Sequence, residues 1–352
     1  MITTAAAGRA WHFSHSLGRP TNEHNGKTGG YRFPIDVVVA PDDILFVLSR
    51  GLGYHIPGYA DDFGRIGKTT LDEEHIGDFA RQEFTWPAGI AMTKDGKILV
   101  TDEWHDHVAI FPSDVIYPYP EFNPDGERIG QWGESGNGNG QLKGPSGIEI
   151  GADDNVFIVD TGNHRVQKFD QEGKYIFGWG SFGKGDGQFN RPWGITIDKD
   201  GCVYIADWGN NRVQKFDSEG NFLMCFQGTD SDGGNLDHPA NVAVDSQGDV
   251  YITDWGNLRV QVYEPNGIPI AALYGDAIEL SKAGTYIMGR DPATIRAFRQ
   301  VKDISPMGLF DRPTGIEIDD QDRIIICDTR GRLQVYQKDK AFIVPELKSE
   351  LI

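Results

Sequence analysis

Three stretches of this chain repeat nearly the same residues at a fixed interval. Each begins at a proline, continues through an Asp-x-Gly-Asn turn and ends in Arg-Val-Gln, and the three prolines, Pro145, Pro192 and Pro239, are 47 residues apart. Self-similarity with a period of about 40–50 residues, built from short strands, is typical of a β-propeller. The repeat therefore determines the architecture and leaves the chemistry open.

Weaker copies begin at Pro34, Pro87 and Pro313, which gives six units. Within each unit, period-two alternation between Gly, Asp and Asn turns indicates four half-buried antiparallel strands. We therefore predict an all-β, six-bladed propeller that forms a single domain over residues 1–352. The predicted blades lie near residues 31–80, 84–133, 142–181, 189–229, 236–275 and 310–344.

A ring of blades has to be closed at the last one. Residues 10–18 resemble residues 175–183, the outer strand of the third unit and the turn after it, because both carry aromatic residues and then a Gly-rich turn. We therefore expect an N-terminal strand near residues 10–17 to be the outer strand of the last blade. The apolar residues 340–344 are the competing candidate.

A long insertion separates the fifth and sixth units. Within it, residues 291–301 begin with Asp and Pro and carry Ile295, Phe298 and Val301 at helical spacing. We predict a short helix there, which either covers the channel or only connects two blades.

The repeated residues resemble the NHL-repeat family, whose units carry Pro-x-Gly-Ile, then Asp, then Asn-x-Arg-Val and Phe-Asp. The resemblance covers roughly residues 31–337 and implies a six-bladed propeller. The family includes partner-binding platforms, RNA-binding modules and a metal-dependent lyase. In the peptide-amidating lyase, histidines directly after the blade proline hold zinc. Here no histidine occupies those positions, which are Ile35, Ala88, Ser146, Trp193, Ala240 and Thr314.

The chain is strongly acidic, with a formal net charge of −19 from 52 acidic and 33 basic residues. Such a surface repels phosphate backbones and anionic lipids at long range, so we expect neither a nucleic-acid partner nor a membrane partner. Three cysteines without a Cys-x-x-Cys pair indicate reduced thiols, and the N-terminus lacks an apolar signal segment. We therefore expect a cytoplasmic protein.

The Asp and Arg of each repeat are interpreted as structural residues. The Asp ends a strand and can accept amide hydrogen bonds from the following turn, and the Arg can pair with it. A set repeated around a ring suits contacts between blades better than catalysis. The residues concerned in the three clear units are Asp160, Asp207, Asp254, Arg165, Arg212 and Arg259.

The pattern fails in the first two units, and such local departures are common at functional sites. Ser49 stands where the other units have Asp, and His107 stands where they have Arg. His24, His55, His105 and His107 all fall in loops of this region, and imidazole suits zinc, so they could hold a divalent metal such as zinc. A calcium site with acidic and asparagine ligands, like that of gluconolactonases, is a second possibility for a six-bladed ring, but no specific positions match its ligands. The alternative to a binding function is thus a metal-assisted lyase or hydrolase acting on a small substrate.

Two further groups of residues point to the channel and its rim. Asp36 and Asn241 stand where the other inner strands have Gly, and Glu149 and Glu317 occur later in inner strands; all four could project polar groups into the channel. Aromatic and arginine residues, which are enriched where proteins bind partners, recur in the loops of one face at Trp104, Trp193, Trp208, Trp255, Arg191 and Arg312. We predict a binding platform for a partner protein or small ligand through this loop-rich face and the central channel.

Overall fold

The computed structural model describes residues 2–18, 31–51, 64–81, 83–114, 128–228, 233–290 and 305–340, with single positions at 296, 300, 303 and 342. These residues form one sheet for each repeat unit. The innermost strands of consecutive sheets contact one another in sequence, and the last contacts the first. The predicted all-β, six-bladed propeller is confirmed.

In the first five blades, four antiparallel strands follow one another along the chain from the channel outwards. Blade one contains Pro34–Ala40, Ile44–Ser49, Arg65–Thr70 and His75–Phe79, and blade two contains Pro87–Met92, Lys97–Asp102, His107–Pro112 and Gly130–Trp132. Blade three contains Pro145–Ile150, Val156–Asp160, Arg165–Phe169 and Tyr175–Trp179. Blade four contains Ile195–Ile197, Val203–Asp207, Arg212–Phe216 and Phe222–Phe226, and blade five contains Pro239–Val244, Val250–Asp254, Arg259–Tyr263 and Pro269–Leu273.

Blade six is assembled from both ends of the chain. Its inner strands are Pro313–Ile318, Arg323–Asp328 and Arg332–Asp339, and the N-terminal strand Arg9–Gly18 pairs antiparallel with the last of these. Thr3–Ala6 adds a fifth strand outside it. The N-terminus therefore supplies the outer strand of the last blade. Most of the competing segment, 340–344, lies outside the described residues.

The hydrophobic core is divided among the six junctions between blades. In the second strand of blade four, Val203 and Ile205 pack towards blade three, while Tyr204 and Ala206 pack towards blade five. Alternate residues of a strand point to opposite faces, so a strand buried on both faces needs a continuous apolar run. Cys327 is fully buried in the junction between blades six and one.

The inner strands approach so closely that side chains are excluded from one repeated position. The Gly147 N–H donates to the carbonyl of Trp193 in the next blade at 2.8 Å. A Cβ at Gly147 would lie 2.6 Å from that oxygen, closer than real Cβ atoms approach. Glycine recurs here in blades two, four and six for the same reason, at Gly89, Gly194 and Gly315.

In blades three to six, the repeated Asp and Arg residues join the blade to the loop that enters it. In blade four, Asp207 Oδ1 accepts the N–H of Asn190 at 2.7 Å, and Oδ2 accepts Arg212 Nε at 2.8 Å. The same Arg donates to the carbonyls of Gly185 and Gln188 at 2.7 and 2.9 Å. Equivalent contacts recur at Asp160, Asp254 and Asp328. Their role is structural, as their repetition indicates.

Outside the blades, short elements connect the ring. Single 3-10 turns span Pro41–Asp43, Thr161–Asn163 and Trp208–Asn210, and Glu134–Ser135 pairs with Gln141–Leu142. Helix α1 spans Lys282–Arg290 and helix α2 spans Ser305–Gly308. The predicted helix at 291–301 lies mostly outside the described residues. Its two described positions, 296 and 300, are helical. Within the described ranges, neither helix is long and apolar enough to span a membrane.

Candidate functional site

The loops at one face of the ring enclose a cavity at the entrance of the channel, here called the mouth cavity. Its volume is about 310 Å³, at the lower end of the range of about 300–1,000 Å³ that is usual for ligand sites. Two repeated positions supply much of its wall. They are the residues just after the blade proline and the residue that follows the second strand of a blade.

Three of the four predicted tryptophans meet in this cavity. Trp193 follows Pro192, while Trp208 and Trp255 follow the second strands of blades four and five. All three are partly buried. The fourth, Trp104, stands one residue further along its loop, leaves 71% of its surface exposed and does not line the cavity.

Arg50 extends from blade one across the entrance of the channel. Its guanidinium carbon lies 5.0 Å from the ring centroid of Trp86, at the start of blade two, and 5.6 Å from that of Trp193 in blade four. Its Nε donates to the carbonyl of Pro87 at 3.0 Å. Because blades one and four face each other in a six-membered ring, the cation lies over the channel entrance.

Glu103 is the ionic partner of Arg50, with 3.3 Å between Oε2 and the terminal guanidinium nitrogen. Glu103 directly follows the second strand of blade two, just as Arg50 directly follows the second strand of blade one. Burial raises the pKa of Glu103 to about 7, although Arg50 and Arg191 act in the opposite direction. Near neutral pH, protonation of Glu103 would therefore leave Arg50 without its carboxylate.

Arg312 presents a second guanidinium to the mouth cavity. Its guanidinium carbon lies 4.3 Å from the ring centroid of Trp255, a cation–π contact. Among the described residues, no carboxylate forms an ion pair with it. Arg191, the other arginine predicted at the rim, does not line the cavity, and its main-chain N–H donates to His164 Nδ1 at 3.0 Å.

The floor of the mouth cavity is a polar pair that joins blades one and five. Asn241 Nδ2 donates to Asp36 Oδ1 at 3.3 Å, and the main-chain N–H of Ile90 donates to Asp36 Oδ2 at 3.1 Å. Burial raises the pKa of Asp36 to about 7, opposed by the N–H groups of Ile90 and Val37 and reinforced by Glu149. The structure thus brings two of the four predicted channel residues together.

The other two predicted channel residues, Glu149 and Glu317, line a second cavity of about 300 Å³ at the opposite end of the inner strands. Burial raises the pKa of Glu149 to about 7. Burial, followed by the charges of Glu149 and Asp36, raises the pKa of Glu317 well above its usual range. Carboxyl groups therefore line the channel from the floor of the mouth cavity to its far end.

The predicted histidine site is only partly described, since His24 and His55 lie outside the described residues. His105 and His107 stack with ring centroids 5.4 Å apart. His105 Nδ1 contacts Asp102 Oδ2 at 2.9 Å. His107 Nε2 is buried and has no hydrogen-bond partner among the described residues. Burial lowers the pKa of His107, opposed by Asp102. In the described ranges, no three His, Cys, Asp or Glu side chains could hold one metal ion.

Sequence reasoning missed three residues of this region: Phe33, Arg50 and Trp86. Arg50 could have been found by register, because it directly follows a second strand as Trp208 and Trp255 do. Phe33 has a φ of 47°, and this conformation belongs to the repeat, because the same left-handed backbone recurs directly before the blade proline at Gly144, Arg191 and His238.

A family model described as the NHL repeat matches four segments of the chain, residues 84–111, 142–169, 189–216 and 236–263. These segments fall in blades two to five. Blade two is matched although His107 replaces the usual Arg. A search of curated protein sequences finds no significant match.

Solved structures share the fold at low sequence identity. A catalytically inactive variant of virginiamycin B lyase from Staphylococcus aureus with quinupristin is 15% identical, with a TM-score of 0.56 over 93% of this chain and 99% of that one. An auxiliary nutrient binding protein from Bacteroides ovatus is 12% identical, with a TM-score of 0.58 over 94% and 77%. A Bacteroides thetaiotaomicron protein of unknown function is 14% identical, with a TM-score of 0.60 over 94% and 76%. Together with the four matched repeats and the ring of six blades, this identifies the chain as an NHL-repeat β-propeller.

Proposed function

We propose that this propeller is a binding module that takes a small ligand, or a short segment of a partner protein, into the mouth cavity. The observation that carries the proposal is the position of Arg50, which reaches from blade one to Trp193 in blade four and forms part of an aromatic and cationic wall. The six-fold pattern itself requires neither the arginine nor the tryptophans.

The size of the mouth cavity limits what can enter it. A volume of about 310 Å³ suits a small molecule or one or two residues of a peptide. A partner protein would therefore insert a terminus or a single large side chain, while the rest of its surface rests on the loops. Buried Trp and Arg residues of this kind commonly dominate binding free energies.

The test compares a tryptophan that lines the mouth cavity, Trp193, with an exposed tryptophan that does not, Trp104. A library of small molecules and short peptides is screened against the wild-type protein by calorimetry, and every ligand found is measured again with Trp193→Ala and with Trp104→Ala. We expect affinity to fall about tenfold or more for Trp193→Ala, as for a central contact residue, and to stay nearly unchanged for the exposed Trp104. Equal affinities of all three proteins would place binding elsewhere.

The metal-assisted lyase or hydrolase stays a prediction, as does the cytoplasmic location. The residue best suited to test the enzyme prediction is His107, because its Nε2 is buried without a hydrogen-bond partner among the described residues. Elemental analysis of the purified protein and of His107→Ala tests it. Stoichiometric zinc or calcium that is lost in the variant would favour the enzyme.

A further inference from the structure

We propose that the mouth cavity binds a ligand with a single carboxylate on a flat apolar body, and that Arg50 and Arg312 bind the carboxylate. This inference rests on the proposed function and adds the chemical class of the ligand. The enzyme alternative is not needed for it.

The two guanidinium groups of the mouth cavity favour an anionic group on the ligand. Both make cation–π contacts with tryptophan rings, Arg50 with Trp86 and Trp193, and Arg312 with Trp255. Such a contact holds the guanidinium beside the ring, and N–H groups without another partner can form paired hydrogen bonds with a carboxylate. Of the five N–H groups of Arg50, the described residues take two, through Pro87 and Glu103. Arg312 has no described ion pair.

The balance of charge in the mouth cavity limits the charge of the ligand. In this chain of net charge −19, buried arginines such as Arg212 and Arg259 are paired with a carboxylate of their own blade. The mouth cavity holds two cations, and Asp36 and Asp311 also line it. Burial raises the pKa of Asp36 and of Glu103, the ionic partner of one of these cations, to about 7. When these two carboxyl groups are protonated, the two guanidinium groups face one further carboxylate, Asp311, so one negative charge on the ligand balances the cavity and a phosphate dianion exceeds that balance.

The arginines on the tryptophan rings exclude a cationic ligand. An aromatic cage could bind a quaternary ammonium group through its ring faces. Here, however, the faces of Trp193 and Trp255 already bear the protein's own guanidinium groups at 5.6 and 4.3 Å. A further cation in the same cavity would be repelled by both.

The apolar body is inferred from the remaining wall. Phe33, with 42% of its surface exposed, and the partly buried Trp208 line the same cavity as the two arginines. Flat rings offer a large contact area, and an aromatic or planar group packs against them in offset or edge-on geometry. A volume of about 310 Å³ leaves room for one such group beside the carboxylate.

The test uses two probes that differ only in charge, N-acetyl-phenylalanine and N-acetyl-phenylalaninamide. Their dissociation constants are measured by calorimetry at low salt with the full-length protein. We expect the acid to bind about tenfold or more tightly than the amide, because only the acid forms charge-assisted hydrogen bonds. Arg50→Gln and Arg312→Gln should each reduce this preference to about twofold or less, whereas Arg50→Lys, which keeps the charge without the planar fork, should be intermediate.

Arg128→Gln is the matched control, because it removes one positive charge from a residue that pairs with Glu83 and does not line the mouth cavity. It should keep the preference for the acid. Melting temperatures verify that each variant is folded. A preference lost equally in Arg128→Gln would show a long-range charge effect and overturn the proposal.

Other outcomes separate this inference from the proposed function. If acid and amide bind equally and Trp193→Ala weakens both, the cavity binds ligands and the carboxylate proposal is wrong. Tighter binding of tetramethylammonium, or binding of neither probe at millimolar concentration, also overturns it. If the acid is preferred, a tripeptide that ends in phenylalanine with a free carboxylate shows whether the ligand is a protein C-terminus or a small free acid. If the peptide binds more tightly than the single amino acid, the ligand is a protein C-terminus, and otherwise it is a free small acid.

Discussion

At the scale of single residues, Asp36 shows how one departure from the repeat changes the chemistry of the ring. Four blades have glycine at this position, because the neighbouring inner strand leaves no room for a Cβ. Blade one instead places a carboxyl group there, held by the N–H of Ile90 and by Asn241. Burial of that group raises its pKa to about 7, so its protonation changes in the physiological range.

This raised pKa predicts a pH-dependent stability. The unfolded chain releases the proton of Asp36 near pH 4, while the folded state keeps it to about pH 7. The folded state therefore binds more protons in this window, and its free energy of unfolding falls as pH rises, by up to about 1.4 kcal/mol per unit. Asp36→Asn should show a shallower slope than wild type in urea denaturation at pH 5, 6 and 7, while the slope contributed by Glu103 and Glu149, whose pKa burial also raises to about 7, should remain. The exposed Asp320→Asn serves as the control, and parallel profiles for Asp36→Asn and wild type would contradict the assignment.

At the scale of elements, the contact between Asp207 and Arg212 shows what joins a blade to its entering loop. The carboxylate of Asp207 is fully buried, and its ion pair with Arg212 measures 2.8 Å. Removing one partner of a buried pair is costly, because the other charge stays desolvated without compensation. Exposed pairs contribute little, since water and salt screen them. The contact between Lys94 and Asp154, at 2.7 Å with side-chain exposures of 66% and 41%, is of this second kind.

Arg212→Met should therefore destabilise the protein by about 3–5 kcal/mol. Lys94→Met, which breaks an ion pair of similar length, should cost at most about 1 kcal/mol. Chemical denaturation at neutral pH measures the free energy of unfolding of both variants. Similar losses in the two variants would show that burial does not decide the contribution of these pairs.

At the scale of the whole molecule, closure of the ring depends on the N-terminal strand. Trp11 of that strand is fully buried between blades five and six, and its indole N–H donates to the hydroxyl of Tyr251 at 2.8 Å. Lys338, on the strand that pairs with it, is also fully buried and contacts Asp249 at 2.7 Å. Arg9 pairs with the same aspartate at 2.6 Å. Apolar packing and a satisfied charge network thus hold the first and last segments together.

Trp11→Ala should destabilise the ring by about 3–5 kcal/mol, because it leaves a large cavity at the closing junction. The exposed Trp104→Ala should change stability by no more than about 0.5 kcal/mol. Thermal and urea unfolding measure both. A stable, unperturbed Trp11→Ala protein would mean that the N-terminal strand does not close the ring.

The candidate site was only partly predictable from the sequence. Trp193, Trp208, Trp255 and Arg312 were found because they stand in matching loops or beside a blade proline, and all four line the mouth cavity. The register of Arg50 matches that of Trp208 and Trp255, but its contact with Trp193 in blade four crosses the ring, and nothing local indicates such a contact. Trp104 was included because its loop matches, but a shift of one residue points it to solvent.

The sequence by itself determined the number of blades, their strands and the structural role of the repeated Asp and Arg. These properties follow from local periodicity and from a pattern that recurs around the ring, most completely in units three to six. The tertiary structure alone decided which departures from that pattern meet. Closing the ring brings residues 36 and 241, or 50 and 193, into contact across the channel. Distances across a ring depend on all six blades, so no single repeat encodes them.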